Sequence, residues 1–121
     1  VLNEMIADMT VNKEEMEAAC MVGHLCATDL ADYLVKEQGL PFRDAYHITG
    51  NVVNLAEEKG VDISELTLEE LQSIDARIGE GVIALLDIRA SMNARQSEGG
   101  TATVRTLEQV KRMKKWIEEK R

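Results

Sequence analysis

Aromatic residues make up only 3% of the 121 residues, and proline occurs once. That scarcity argues against a strand-rich sandwich or barrel and predicts an aliphatic core with methionine as filler. No uninterrupted apolar run approaches the ~20 residues needed to cross a bilayer. The opening residues, VLNEMIADM, are acidic and amphipathic, unlike a basic-then-apolar signal peptide. The expectation is a cytoplasmic protein without a membrane partner. The two cysteines, Cys20 and Cys26, lack Cys-x-x-Cys spacing and read as small, reduced core residues. His24 lies between them, but a structural zinc site needs four ligands in a recognised spacing, and nothing here supplies the fourth. No metal or cofactor is expected.

The formal net charge of −8 is unevenly spread: residues 1–100 hold 7 Lys+Arg against 19 Asp+Glu, and residues 101–121 hold 7 against 3. An acidic body repels nucleic acid, so no nucleic-acid partner is expected. The cations Lys111, Arg112, Lys114, Lys115, Lys120 and Arg121 suit the last turns and the solvated face of a helix.

Seven of the eight glycines fall between segments of helical periodicity. Leu2, Met5, Ile6 and Met9 show helical spacing from the outset, which predicts a chain that begins inside a helix of something longer. Asn12 and Glu15 form a capping-box pattern with Val11 as staple, opening a helix to about Ala19. The stretch Met21–Cys26 with Gly23 breaks it. Thr28 is the expected cap of the next helix, with Asp29 and Asp32 near its positive end, Leu30, Ala31, Leu34 and Val35 on one face, and Gly39 as its close.

Pro41 suits the first turn of a fourth helix carrying Ala45, Ile48, Thr49, Val52, Leu55 and Ala56 and ending at Gly60. Gly50 falls inside it, and its expected compensation is close approach of a neighbouring helix. Thr67 and Glu70 make a second capping box, before Leu68, Leu71 and Ile74. A short helix should hold Val82, Ile83, Leu85 and Leu86. A polar stretch Ser91–Gly100 follows, and a last amphipathic helix, capped by Thr101 or Thr103, runs through Val104, Leu107, Val110, Met113 and Ile117. The prediction is one compact all-α domain of about six to seven short helices.

The chain contains no metal-ligand cluster, Walker loop or dinucleotide fingerprint. A triad needs nucleophile, base and orienter together. The bases are His24 and His47, the serines Ser64, Ser73, Ser91 and Ser97, and no spacing links them. His47 reads as a helix-surface histidine. Composition and spacing alone name no reaction.

The run ATDLADYLV (Ala27–Val35), continued by LPFRDAYHITG (Leu40–Gly50), resembles the carboxy-terminal domain of argininosuccinate lyases. The resemblance extends through LAEEKGVDISELTLEELQSI (Leu55–Ile74), Leu86-Asp87, Ser91 and Ala94-Arg95-x-Ser97-x-Gly99-Gly100-Thr101-Ala102, with Thr10-Val11-Asn12-Lys13-Glu14 upstream. Family members usually have proline at the position of Thr103 and a different run around His24. The resemblance implies the fumarase/aspartase superfamily: a homotetramer that splits argininosuccinate into arginine and fumarate, with a serine base on a Ser-Ser-x-Met-Pro loop. That loop is absent here, so no catalytic residue is expected. Residues 1–9 would be the tail of a central-bundle helix and 10–121 the carboxy-terminal domain, partnered by the rest of the lyase chain and its homotetramer. The loop Met21–Thr28, with Thr28 and Asp29, resembles the family segment near the substrate. A stand-alone interaction module and a crystallin-like structural protein of the same family are the alternatives. For residues 1–9, whose apolar side chains would lack their partners, the expectation is folding back or a homodimer.

Overall fold

A computed structural model describes residues 1–120. Its elements are α1 (Leu2–Ala7), α2 (Lys13–Cys20), α3 (Ala27–Lys36), α4 (Phe42–Lys59), a 3₁₀ turn (Ile63–Glu65), α5 (Leu68–Ile74), α6 (Gly81–Leu85), α7 (Ile88–Ala94) and α8 (Thr103–Lys120). Among the described residues there is no strand, as the lack of two-residue alternation predicts. Arg121, counted above in the basic tail and in the span 10–121, lies outside the described residues.

The centre is the pairing of α3 with α4. Leu30, Ala31 and Leu34 form the buried stripe of α3, and Ala45, Ile48, Thr49, Val52 and Ala56 that of α4, all at helical spacing. Ile63, Leu71, Ile78, Val82 and Leu86 close around this pair, all fully or nearly fully buried. Burying each such side chain contributes about 1.5–3 kcal/mol, enough to hold helices too short to persist alone.

The ends follow local chemistry. α4 stops at Gly60, whose φ of 69° is left-handed and cheap only without a Cβ. α5 opens with the reciprocal box Thr67–Glu70. Asp62 and Glu65 form an equivalent box over the 3₁₀ turn, which periodicity gave no cause to expect.

Several expectations are corrected. Thr28 does not cap α3: Cys26 does, and Thr28 is exposed within the first turn. The reason is a tight turn at His24, whose carbonyl accepts from Ala27 N–H at 2.9 Å, so the helix begins earlier. Pro41 precedes α4 as its cap, because its ψ of 139° is not helical. Gly50 meets no close neighbour: it is exposed, and a Cβ there would touch nothing within 4 Å. It lies on the solvent face with Tyr46 and Asn54, opposite the buried stripe.

Cys20 is exposed, and only Cys26 is in the core. Val11 staples nothing, being 58% exposed. Ile83 and Leu85 of α6 are likewise exposed, leaving Val82 as its buried residue. The polar stretch from Ser91 is partly helix: Asp87 Oδ1 accepts from Ala90 N–H at 2.7 Å and caps α7, bringing the α-helices among the described residues to eight. α1, α2 and α8 bury no residue at all, and the apolar side chains of α8 stay uncovered.

Candidate functional site

The segment 94–102 leaves α7 and returns to it. Ala102 N–H donates to the carbonyl of Arg95 at 3.3 Å, and Gly100 N–H to that of Ser97 at 2.9 Å. A Cβ on Gly100 would lie 2.3 Å from the Arg95 carbonyl oxygen, so only glycine fits. Ala102 is 1% exposed, which favours a small side chain. The turn thereby fixes the backbone from which Arg95 reaches back along α7.

Arg95 meets Asp29, from the first turn of α3, through Nη2 and Oδ1 at 3.1 Å. Its Nη1 donates to Ser91 Oγ at 3.0 Å and to the Ser91 carbonyl. Ser91 Oγ in turn donates to Asp29 Oδ2 at 2.6 Å. Asp29 and Ser91 are largely buried, whereas Arg95 is about half exposed at 45%. The two sequence segments that carry the strongest resemblance, ATDLADYLV and the run from Ala94, therefore close one polar network. Ser91 and Arg95 also line an open cleft of about 520 Å³, with Cys20, Leu25, Ile88 and Met92 around them. Arg89 pairs with Glu17 of α2 at its edge.

The cluster holds the first turn of α3 against α7. Both oxygens of Asp29 are engaged, and the guanidinium of Arg95 offers donors and no acceptor. Burial pushes the Cys26 thiol up, with the Asp29 carboxylate adding to the effect, so its thiolate is disfavoured. Among the described residues, no three His, Cys, Asp or Glu side chains gather where they could hold a metal ion.

Of the two residues assigned to the substrate-proximal loop, Asp29 joins this network and Thr28 stays on the surface. Ser91 and Arg95 had no role assigned from the sequence. The signal available was their place in the run that resembles lyases, in step with Asp29. His47 is exposed on α4 beside Tyr46, at 6.3 Å between ring centroids, while the backbone N–H of His24 donates to Asp62 Oδ2 at 3.1 Å.

The family model described as "Argininosuccinate lyase C-terminal" matches residues 24–93, from the turn before α3 through most of α7. The chain belongs to this family. An argininosuccinate lyase of a Sulfurovum species is 86% identical over 118 residues, covering 98% of this chain and 25% of that protein. Argininosuccinate lyases of a Nitratiruptor species and of Sulfurimonas denitrificans are 55% and 51% identical, over 98% and 92% of the chain and 26% and 24% of their own lengths. The chain thus spans about a quarter of the length of the curated argininosuccinate lyases it matches.

No helix among the described residues is long and apolar enough to cross a membrane.

Proposed function

We propose that this chain is the non-catalytic carboxy-terminal domain of an argininosuccinate lyase, a cytoplasmic enzyme of arginine biosynthesis that works as a homotetramer. The whole enzyme would release arginine and fumarate by elimination: a base removes a proton beside a carboxylate, the carbanion is held electrostatically, and the carbon–nitrogen bond breaks. The base would come from a segment not in these 121 residues. Residues 1–9 would end a central-bundle helix, and residues 10–121 would form the domain that supports assembly and closes the active site, with Thr28 and Asp29 nearest the substrate.

The observation that carries this reading is coverage: lyases at 86% and 55% identity match almost the whole chain, yet it fills only a quarter of their length. The closed network of Asp29, Ser91 and Arg95 supports a positioning role, since it offers no free base. A test is to follow fumarate absorbance on argininosuccinate with the full-length protein and with a version lacking residues 24–120. Turnover by the first and none by the second is expected; equal turnover would remove the domain from the active site.

A further inference from the structure

The connection between α2 and α3 turns at His24, which among the described residues is the only non-glycine with a positive φ, 55°. Packing does not impose this backbone: Met21, Val22 and Leu25 around it are 53%, 72% and 53% exposed. Polar contacts do. His24 N–H donates to Asp62 Oδ2 at 3.1 Å, and Ile63 N–H donates to His24 Nδ1 at 3.3 Å. The other oxygen of Asp62, Oδ1, accepts from Ser64 N–H at 3.0 Å and Ser64 Oγ at 2.8 Å. One carboxylate therefore caps the 3₁₀ turn and seizes the loop, and the imidazole completes the clasp from the loop's side. Both side chains are mostly shielded, at 16% and 17% exposure. A strained backbone persists only where its surroundings over-determine it, and here two groups at the α4–3₁₀ junction, the Asp62 carboxylate and the Ile63 N–H, hold it at both its main chain and its ring. The His24 carbonyl then holds Ala27 N–H at 2.9 Å and sets where α3 begins.

We propose that His24 is a positioning residue: clasped by Asp62 and Ile63, it fixes the Met21–Cys26 connection, and with it the presentation of Thr28 and Asp29 to the substrate of the assembled lyase. The positioning role rests on the lyase reading above; the clasp does not. It requires a side-chain atom that accepts a hydrogen bond at the place of Nδ1, on a residue that tolerates the left-handed region. Asparagine meets both demands, glycine only the second, and alanine neither.

Two measurements on His24→Asn, His24→Gly and His24→Ala test this. In the 121-residue chain, exchange of the Ile63 amide should be about as slow in His24→Asn as in the parent, and about tenfold faster or more in the other two. In the full-length enzyme, KM for argininosuccinate should rise about tenfold in His24→Gly and His24→Ala and less than about twofold in His24→Asn. KM does not depend on how much of the enzyme is folded, so poor folding cannot imitate this pattern. Unchanged exchange in His24→Gly would overturn the clasp. Faster exchange with an unchanged KM, or an asparagine variant no better than glycine, would overturn the positioning role. A parent enzyme without turnover would instead refute the lyase reading, and the positioning role with it, leaving the clasp to the exchange result.

Discussion

The hydroxyl of Ser91 donates to Oδ2 of Asp29 at 2.6 Å, joining two residues 62 positions apart in the chain. It ties the first turn of α3 to α7, and Arg95 bridges the same pair from the other side. Replacing Ser91 with alanine leaves a largely buried carboxylate oxygen without that donor. The expected loss is about 1–3 kcal/mol in urea melts. A cycle of Ser91→Ala, Arg95→Ala and the double variant should return coupling of about 0.5–3 kcal/mol, and strictly additive losses would contradict a shared network.

Two glycines should respond in opposite directions. Gly50 lies in the exposed interior of α4 with nothing within 4 Å of a Cβ, so Gly50→Ala should stabilise by up to about 1 kcal/mol. Gly100→Ala places a methyl 2.3 Å from the Arg95 carbonyl oxygen, with backbone on both sides, and should destabilise by more than about 1 kcal/mol. Thermal melts of the two variants distinguish them. A stabilised Gly100→Ala would mean that the 95–102 turn is not built as described.

This pair shows what the sequence discloses and what it withholds. Apolar spacing located the stripes of α3 and α4, because residues such as Leu30, Leu34, Val52 and Ala56 are buried and apolar at once. The same spacing could not say that Gly50 faces solvent, since a helix with one covered face leaves the partner of every other face unspecified. α7 escapes the apolar pattern because its one buried residue among the described residues is Ser91, which carries no apolar signal. The start of α3 moved because the left-handed turn at His24 is a tertiary effect of Asp62, 38 residues away. Of the polar network, the sequence singles out Asp29 alone, and only as substrate-proximal; Ser91 and Arg95 acquire their roles when α7 is folded against α3.

Acid should loosen the start of α5. Its hydrogen bond from the Lys59 ammonium, with help from the Thr67 N–H, holds the Glu70 carboxyl down at about 2. The Arg77 guanidinium, which grips both oxygens of Asp75 at 2.9 and 2.8 Å, holds that carboxyl at about 2 as well. Ordinary Glu and Asp titrate near 4.3 and 3.9. Because the folded values lie below the unfolded ones, these contacts stabilise the fold above about pH 5, and the contribution drains away as pH falls toward about 2. Carboxyl-carbon NMR titration should place both midpoints near 2. Midpoints above about 4 would contradict the cap and ion-pair geometry.

Leu2, Met5, Ile6 and Met9 are each 60–68% exposed, so folding back on the domain is not what the structure shows. Four such side chains on one short segment, each gaining about 1.5–3 kcal/mol on burial, favour a concentration-dependent homodimer of the 121-residue chain. Sedimentation equilibrium should find more dimer in the whole chain than in a version starting at Thr10. Identical monomers at high concentration would show that the segment drives no association.

A chain that contributes structure but no chemistry to a lyase should be inert alone, which is checked by incubating the purified 121 residues with argininosuccinate beside the full-length protein and following fumarate absorbance. No rate above the buffer blank is expected for the former and steady turnover for the latter. Turnover by the 121 residues alone, in a preparation free of host enzyme, would contradict that expectation.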